Sequence, residues 1–127
     1  MKIKMFQVFK ILDIYVRVKE LRVPARVAYK FNRLCADLEK DSKFYDEEVN
    51  KIVQQYGERE EDGSLKKTGD GGIQIKKEQI EIAQKEINDL YNLEIDAPDI
   101  HFSFDELDGL QLSIEDFNTM LPFITEE

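Results

Sequence analysis

Residues 24–57 read PARVAYKFNRLCADLEKDSKFYDEEVNKIVQQYG, and this stretch decides the fold. Val27, Phe31, Leu34, Leu38, Tyr45, Val49, Ile52 and Tyr56 recur at spacings built from threes and fours, which sets them along one face of an α-helix. Pro24 suits the first helical position, because it has no amide to leave unbonded and its φ is already helical. Gly57 suits the stop, because glycine accepts the left-handed conformation that closes a helix. Heptad spacing links Phe31, Leu38, Tyr45 and Ile52, but the companion positions Asp41 and Glu48 are charged. The apolar seam therefore breaks near the middle and resumes on Val49 and Tyr56 as a drifted stripe. At about 1.5 Å per residue the helix would run roughly 50 Å, so it either bends near Asp41-Ser42 or projects and needs a partner.

The chain offers that partner. Ile80, Ala83, Ile87 and Leu90 step by three, four and three within Lys77 to Tyr91, which predicts a second amphipathic helix packed antiparallel on the first. Between the two, Glu60-Glu61-Asp62-Gly63 and Gly69-Asp70-Gly71-Gly72 read as turns. Ser64 to Thr68 and Ile73 to Lys76 flank the second turn and pair as a short β-hairpin at the tip.

Outside the hairpin the patterns are shorter. From Met5 to about Glu20 the stripe Met5, Phe9, Leu12 and Val16 favours a helix, although the alternation of Phe6, Val8, Leu12, Ile14, Val16 and Val18 and the high β-branched content leave a strand open. Leu93-Glu94-Ile95 and Ile100-His101-Phe102 read as extended. Ser103…Glu106 and Ser113…Asp116 each set a serine three residues before a carboxylate, the signature of a capped helical turn. The expected fold is mainly α (α+β): a long helical hairpin with a small β-hairpin at its tip and a C-terminal acidic module of short strands and short helices. It forms one domain over residues 1–127, with an N-terminal helix and extended segment at 1–23, the hairpin at 24–91 with its tip at 57–76, and the acidic module at 92–127.

Charge is distributed unevenly. Residues 1–33 carry nine Lys/Arg against Asp13 and Glu20, a formal +7, whereas residues 92–127 carry ten carboxylates and no Lys or Arg. The tail also holds Phe104, Leu107, Phe117, Met120 and Leu121, so it reads as a folded, docked module rather than a solvated acidic tail. Its carboxylates either match the chain's own basic end or face a basic partner. With 42% apolar and 35% charged residues the chain is globular, and at net −9 direct nucleic-acid binding is disfavoured. No segment approaches the roughly 18 apolar residues of a membrane span, and the apolar stretch after Lys4 is interrupted by Gln7, Lys10 and Asp13, unlike a secretory signal. Cys35 is alone, so no intrachain disulfide forms.

Val23-Pro24-Ala25-Arg26-Val27-Ala28-Tyr29-Lys30, Gln55-Tyr56-Gly57-Glu58 leading into Asp62-Gly63, Leu93-Glu94-Ile95, Ser103 to Gly109 and Leu121-Pro122-Phe123-Ile124 follow one another in that order. In this the chain resembles a family of small uncharacterised proteins encoded by phages and prophages of Gram-positive bacteria. The resemblance implies a host bacterial cytoplasm or a virion as the setting, and carries no catalytic residues.

Chemistry-bearing residues are few. His101 lacks a nucleophile and positioned carboxylate that sequence can pair with it, and reads as structural. Cys35 reads as a partly buried, inert thiol, with Asp37 nearby to raise its pKa. The tail carboxylates do not reproduce the ligand spacing and central glycine of an EF-hand loop. Gly69-Asp70-Gly71-Gly72 lacks the Gly-Lys-Ser/Thr ending of a phosphate loop. The expectation is a non-enzymatic protein with no cofactor and no metal, whose candidate partner-binding surface is Asp96, Asp99, Asp105, Glu106, Asp108, Glu115 and Asp116. The expected partner is a phage or host protein, in an assembly or accessory role, with self-association left open. The alternative is an anti-defence inhibitor, such as an anti-CRISPR protein, whose acidic surface occupies a nucleic-acid-binding groove of a host effector.

Overall fold

The structure, a computed structural model, describes residues 1–125. The fold is mainly α with small β elements: β1 (Lys2–Lys4), α1 (Met5–Val18), α2 (Ala25–Tyr56), α3 (Ile80–Tyr91), β2 (Glu94–Asp96), β3 (Phe102–Ser103), α4 (Phe104–Leu107), α5 (Ile114–Met120) and β4 (Ile124–Thr125). Pro24 stands just before α2, where its carbonyl accepts from the Val27 and Ala28 amides at 3.0 and 3.1 Å. The chain divides into two compact units: Lys43–Leu93, and Met1–Ser42 together with the described residues from Glu94 onward. The boundary falls within α2 directly after Asp41-Ser42, where the apolar seam is broken. Asp41 there has its carboxyl pushed up by burial and by the Asp37 charge.

The unit that contains both ends of the chain is built on α1 and the first half of α2. Met5, Val8, Ile11 and Ile14 of α1 and Val27, Phe31, Leu34 and Leu38 of α2 are buried with Phe102, Met120 and Phe123. Phe31 and Phe102 meet ring to ring at 4.7 Å, and Tyr15 stacks on Phe31 at 6.5 Å while its hydroxyl donates to Asn32 at 2.7 Å. Residues 5–18 are thus a helix, but its buried face is Met5, Val8, Ile11, Ile14 and Val18, not the Phe9, Leu12 and Val16 stripe; Val16 is exposed. A helix apolar on most of its circumference offers more than one stripe, and packing against α5 decides which is covered. β1 pairs antiparallel with β2, Ile3 opposite Ile95, and β3 pairs parallel with β4, Phe102 opposite Ile124.

The other unit is the helical hairpin. Tyr56, at the end of α2, donates its hydroxyl to Glu86 Oε1 at 3.1 Å, and Tyr45, three turns earlier, meets the Tyr91 ring at 6.4 Å, so α2 and α3 run antiparallel. Ile52 and Ala83 are buried between them, and Ile87 and Leu90 are half-buried.

The tip is more closed than a single hairpin. Residues 64–68 and 73–76 do pair, through Lys67 opposite Ile73, but residues 57–60 join them, with Arg59 opposite Leu65 and Gly57 opposite Ile75. The amide of Lys66 donates to the Glu58 carbonyl, that of Gln74 to the Lys66 carbonyl, and that of Glu58 to the Gln74 carbonyl, each at 2.8 Å. Three segments at eight-residue intervals thus bond in a ring. Outside it the same bond recurs three times: Glu60 to Ser64, Thr68 to Gly72, and Lys76 back to Tyr56. Two arms close through Asp-Gly turns with Gly63 and Gly71 at φ +88, and the third is where the two helices enter and leave. A closed ring has no free strand edge, which removes the instability of a lone two-stranded ribbon.

Candidate functional site

The acidic module takes its shape from two capping boxes. The Ser103 hydroxyl accepts from the Glu106 amide at 3.2 Å while Glu106 Oε1 accepts from the Ser103 amide at 2.9 Å; Ser113 and Asp116 repeat the exchange at 3.0 and 3.1 Å. Helices as short as α4 and α5 depend on such caps, since an isolated turn fixes more backbone freedom than its bonds repay. Both capping carboxylates have a second task. Asp116 receives both terminal nitrogens of Arg17, each at 2.7 Å, in a bidentate fork from α1. Glu106 Oε1 receives Lys30 Nζ from α2 at 2.7 Å, with that ammonium also over the Phe102 ring. Glu106 Oε2 is buried without a protein partner.

These contacts shift the titrations. The Arg17 guanidinium, with the Ser113 amide, holds the Asp116 carboxyl below the usual carboxylate range against the opposing effect of burial. At Glu106 burial is the largest influence and pushes upward, but the Lys30 ammonium and the Ser103 amide together outweigh it and leave the carboxyl lowered. Lys2 in β1 does the same to Asp96 in β2, at 2.7 Å and in the open.

The seven candidate residues therefore separate into two groups. Asp96, Glu106 and Asp116 are tied to cations of the N-terminal third, and Asp99 Oδ1 lies 2.6 Å from His101 Nε2 on the surface. The basic-to-acidic match within the chain thus exists, and it uses these carboxylates. Asp105, Asp108 and Glu115 are exposed and, among the described residues, form no ion pair. Asp105 borders a hollow with Arg26, and Glu115 one with Lys10 and Arg17. Asp108 lies on a different feature, a groove of about 410 Å³ lined by Phe104, Leu107, Leu112, Ile114 and Phe117. The Phe104 and Phe117 rings stack there at 6.2 Å, and Ile114 is 83% exposed. Sequence reasoning named the carboxylates but not this groove. Its one legible signal was an apolar residue, Ile114, directly after the Ser113 cap, where a short helix turns its first residue outward.

His101 precedes β3 and is exposed, outside the strand expected for it. Cys35 is buried on α2, and burial, assisted by Glu39 rather than Asp37, pushes its thiol up to about 12. Among the described residues no three His, Cys, Asp or Glu side chains gather as metal ligands, and no helix is long and apolar enough to cross a membrane. Comparison of the chain with protein-family models, with curated proteins and with solved structures returns no significant match.

Proposed function

We propose that this chain is a non-enzymatic interaction protein, encoded by a phage or prophage, that binds another phage or host protein through its C-terminal module in an assembly or accessory role. The observation that carries the reading is the division of the acidic residues. Asp96, Glu106 and Asp116 anchor the module internally, while Asp105, Asp108 and Glu115 form no ion pair among the described residues and Asp108 lines a groove with exposed Phe104 and Ile114. Exposed apolar side chains close to unneutralised charge of one sign are a pattern of contact surfaces. The host cytoplasm or the virion is the setting this reading implies.

The same division weighs against charge mimicry of nucleic acid as the main role, because internal ion pairs neutralise three of the carboxylates that would replace phosphates. The test is affinity purification of the chain from phage-infected cells, with identification of co-purifying proteins and light scattering of the purified chain. A reproducible protein partner supports the reading. A strict monomer that retains no protein overturns it.

A further inference from the structure

The groove beside Asp108 is a place where the module leaves apolar surface uncovered. Its wall of stacked Phe104 and Phe117 is 45% exposed at Phe104, and Ile114 on its margin is the most exposed large apolar residue described. Neither position is needed by a capping box, whose polar contacts are made by Ser103, Glu106, Ser113 and Asp116. At about 410 Å³ the groove lies toward the small end of clefts that enclose ligands, about 300–1,000 Å³, which suits one or two bulky side chains rather than a long segment.

Charge identifies the occupant. No Lys or Arg lines the groove, and none occurs anywhere from residue 92 onward. Asp108 contributes to the wall, whereas Asp105 and Glu115 border other hollows, beside Arg26 and beside Lys10 and Arg17. The carboxylates of the module with partners of their own lie elsewhere: Asp96 in β2, Asp99 beside His101, and Glu106 and Asp116 against α2 and α1. A phosphate-bearing ligand, whether nucleic acid or anionic lipid, finds no cation in this wall and meets the Asp108 carboxylate. A purely apolar ligand leaves Asp108 unused.

Resting on the interaction reading above, we infer that this groove receives a short protein segment that presents one or two bulky apolar side chains flanked by Lys or Arg. The apolar side chains enter between Phe104, Leu112, Ile114 and Phe117, and a flanking cation meets Asp108. Anchors in a desolvated pocket supply most of the affinity in such contacts, and charges on the margin supply rate and selectivity.

The experiment uses the full chain and labelled 14-residue probe peptides in fluorescence anisotropy. One probe carries Leu and Phe at helical spacing among lysines, a second replaces Leu and Phe by Ser, and a third replaces the lysines by Glu. The first is expected to bind at least about tenfold more tightly than either of the others. Ile114→Ser is expected to weaken it by about tenfold or more, and separately Asp108→Asn by about threefold, each with the melting temperature unchanged. Equal binding of the lysine probes with and without apolar residues, or indifference to Ile114→Ser, overturns the inference. So does concentration-dependent self-association that the same substitutions abolish, because the occupant is then a second copy. A partner recovered from infected cells that both variants hold as tightly as the native chain overturns the groove and leaves the interaction reading standing. Failure to recover any protein partner overturns the reading beneath it.

Discussion

Asp116 Oδ2 accepts from the Ser113 amide at 3.1 Å and from Arg17 at 2.7 Å, so one proton added to that carboxylate weakens a helix cap and an ion pair together. Glu106 stands in the same position between Ser103 and Lys30. Both carboxyls are lowered in the folded chain, whereas in the unfolded chain they titrate near their ordinary values of about 3.9 for Asp and 4.3 for Glu. The unfolded state thus takes up protons first as pH falls. The stabilisation from these contacts is fully present above about pH 5 and is lost as pH drops through the lowered folded values. Thermal melting as a function of pH should show it. The gap in melting temperature between the native chain and the Glu106→Gln, Asp116→Asn double variant is expected to be widest near neutrality and to shrink below about pH 4. Cys35 behaves oppositely, since its thiol is pushed up to about 12 by burial and then by Glu39. Only the thiolate is a strong nucleophile, so a thiol reagent at pH 8 should leave Cys35 unmodified in the folded chain and label it fully in denaturant. The serine caps were legible in the sequence because a cap and its carboxylate are three residues apart. Which carboxylates are tied to cations was not, because Lys30 and Glu106 are 76 positions apart and Arg17 and Asp116 are 99 apart.

In the ring of three bonded segments at residues 57–76, Gly57 is the most crowded of the glycines. A Cβ added there would lie 2.5 Å from the Val53 carbonyl oxygen and 2.7 Å from Leu65 Cδ2, so backbone as well as side chain must move. Gly63, in one of the Asp-Gly arms, has φ +88 and nothing within 4 Å of its added Cβ, so only conformational strain opposes alanine. Gly57→Ala is therefore expected to destabilise the protein by about 2 kcal/mol or more, against about 1 kcal/mol for Gly63→Ala, measured by urea unfolding. An unfolding midpoint for Gly57→Ala equal to that for Gly63→Ala would show that the crowding is relieved without cost. The two Asp-Gly turns and the pairing between residues 64–68 and 73–76 followed from local turn chemistry. The third side of the ring did not, because Glu58 pairs with Gln74 across 16 positions in a segment with no alternating apolar pattern. The face that α1 buries was equally hidden, since Phe9, Leu12 and Val16 are as apolar as the residues chosen over them. Helices with one apolar stripe, such as α2 and α3, are easier to read than a helix apolar on several sides.

At the scale of the molecule, Lys43–Leu93 is continuous in sequence, while the other unit is assembled from both sides of it. The helical hairpin closes on its own contacts, Tyr56 on Glu86 and Tyr45 beside Tyr91, and so draws residues near its two ends together. That has a consequence for the order of folding. A nascent chain emerging from the ribosome completes the central hairpin before β2, β3 and the capped helices α4 and α5 exist, and β1 with α1 must wait for them. Once the hairpin has formed, the span that separates α1 from α5 no longer behaves as a long flexible loop, so the entropic cost of bringing Arg17 to Asp116 falls. Pulse-labelled hydrogen exchange during refolding should find the amides of Glu58, Lys66 and Gln74 protected before those of β1 and its partner β2, and the reverse order would exclude such a sequence of events.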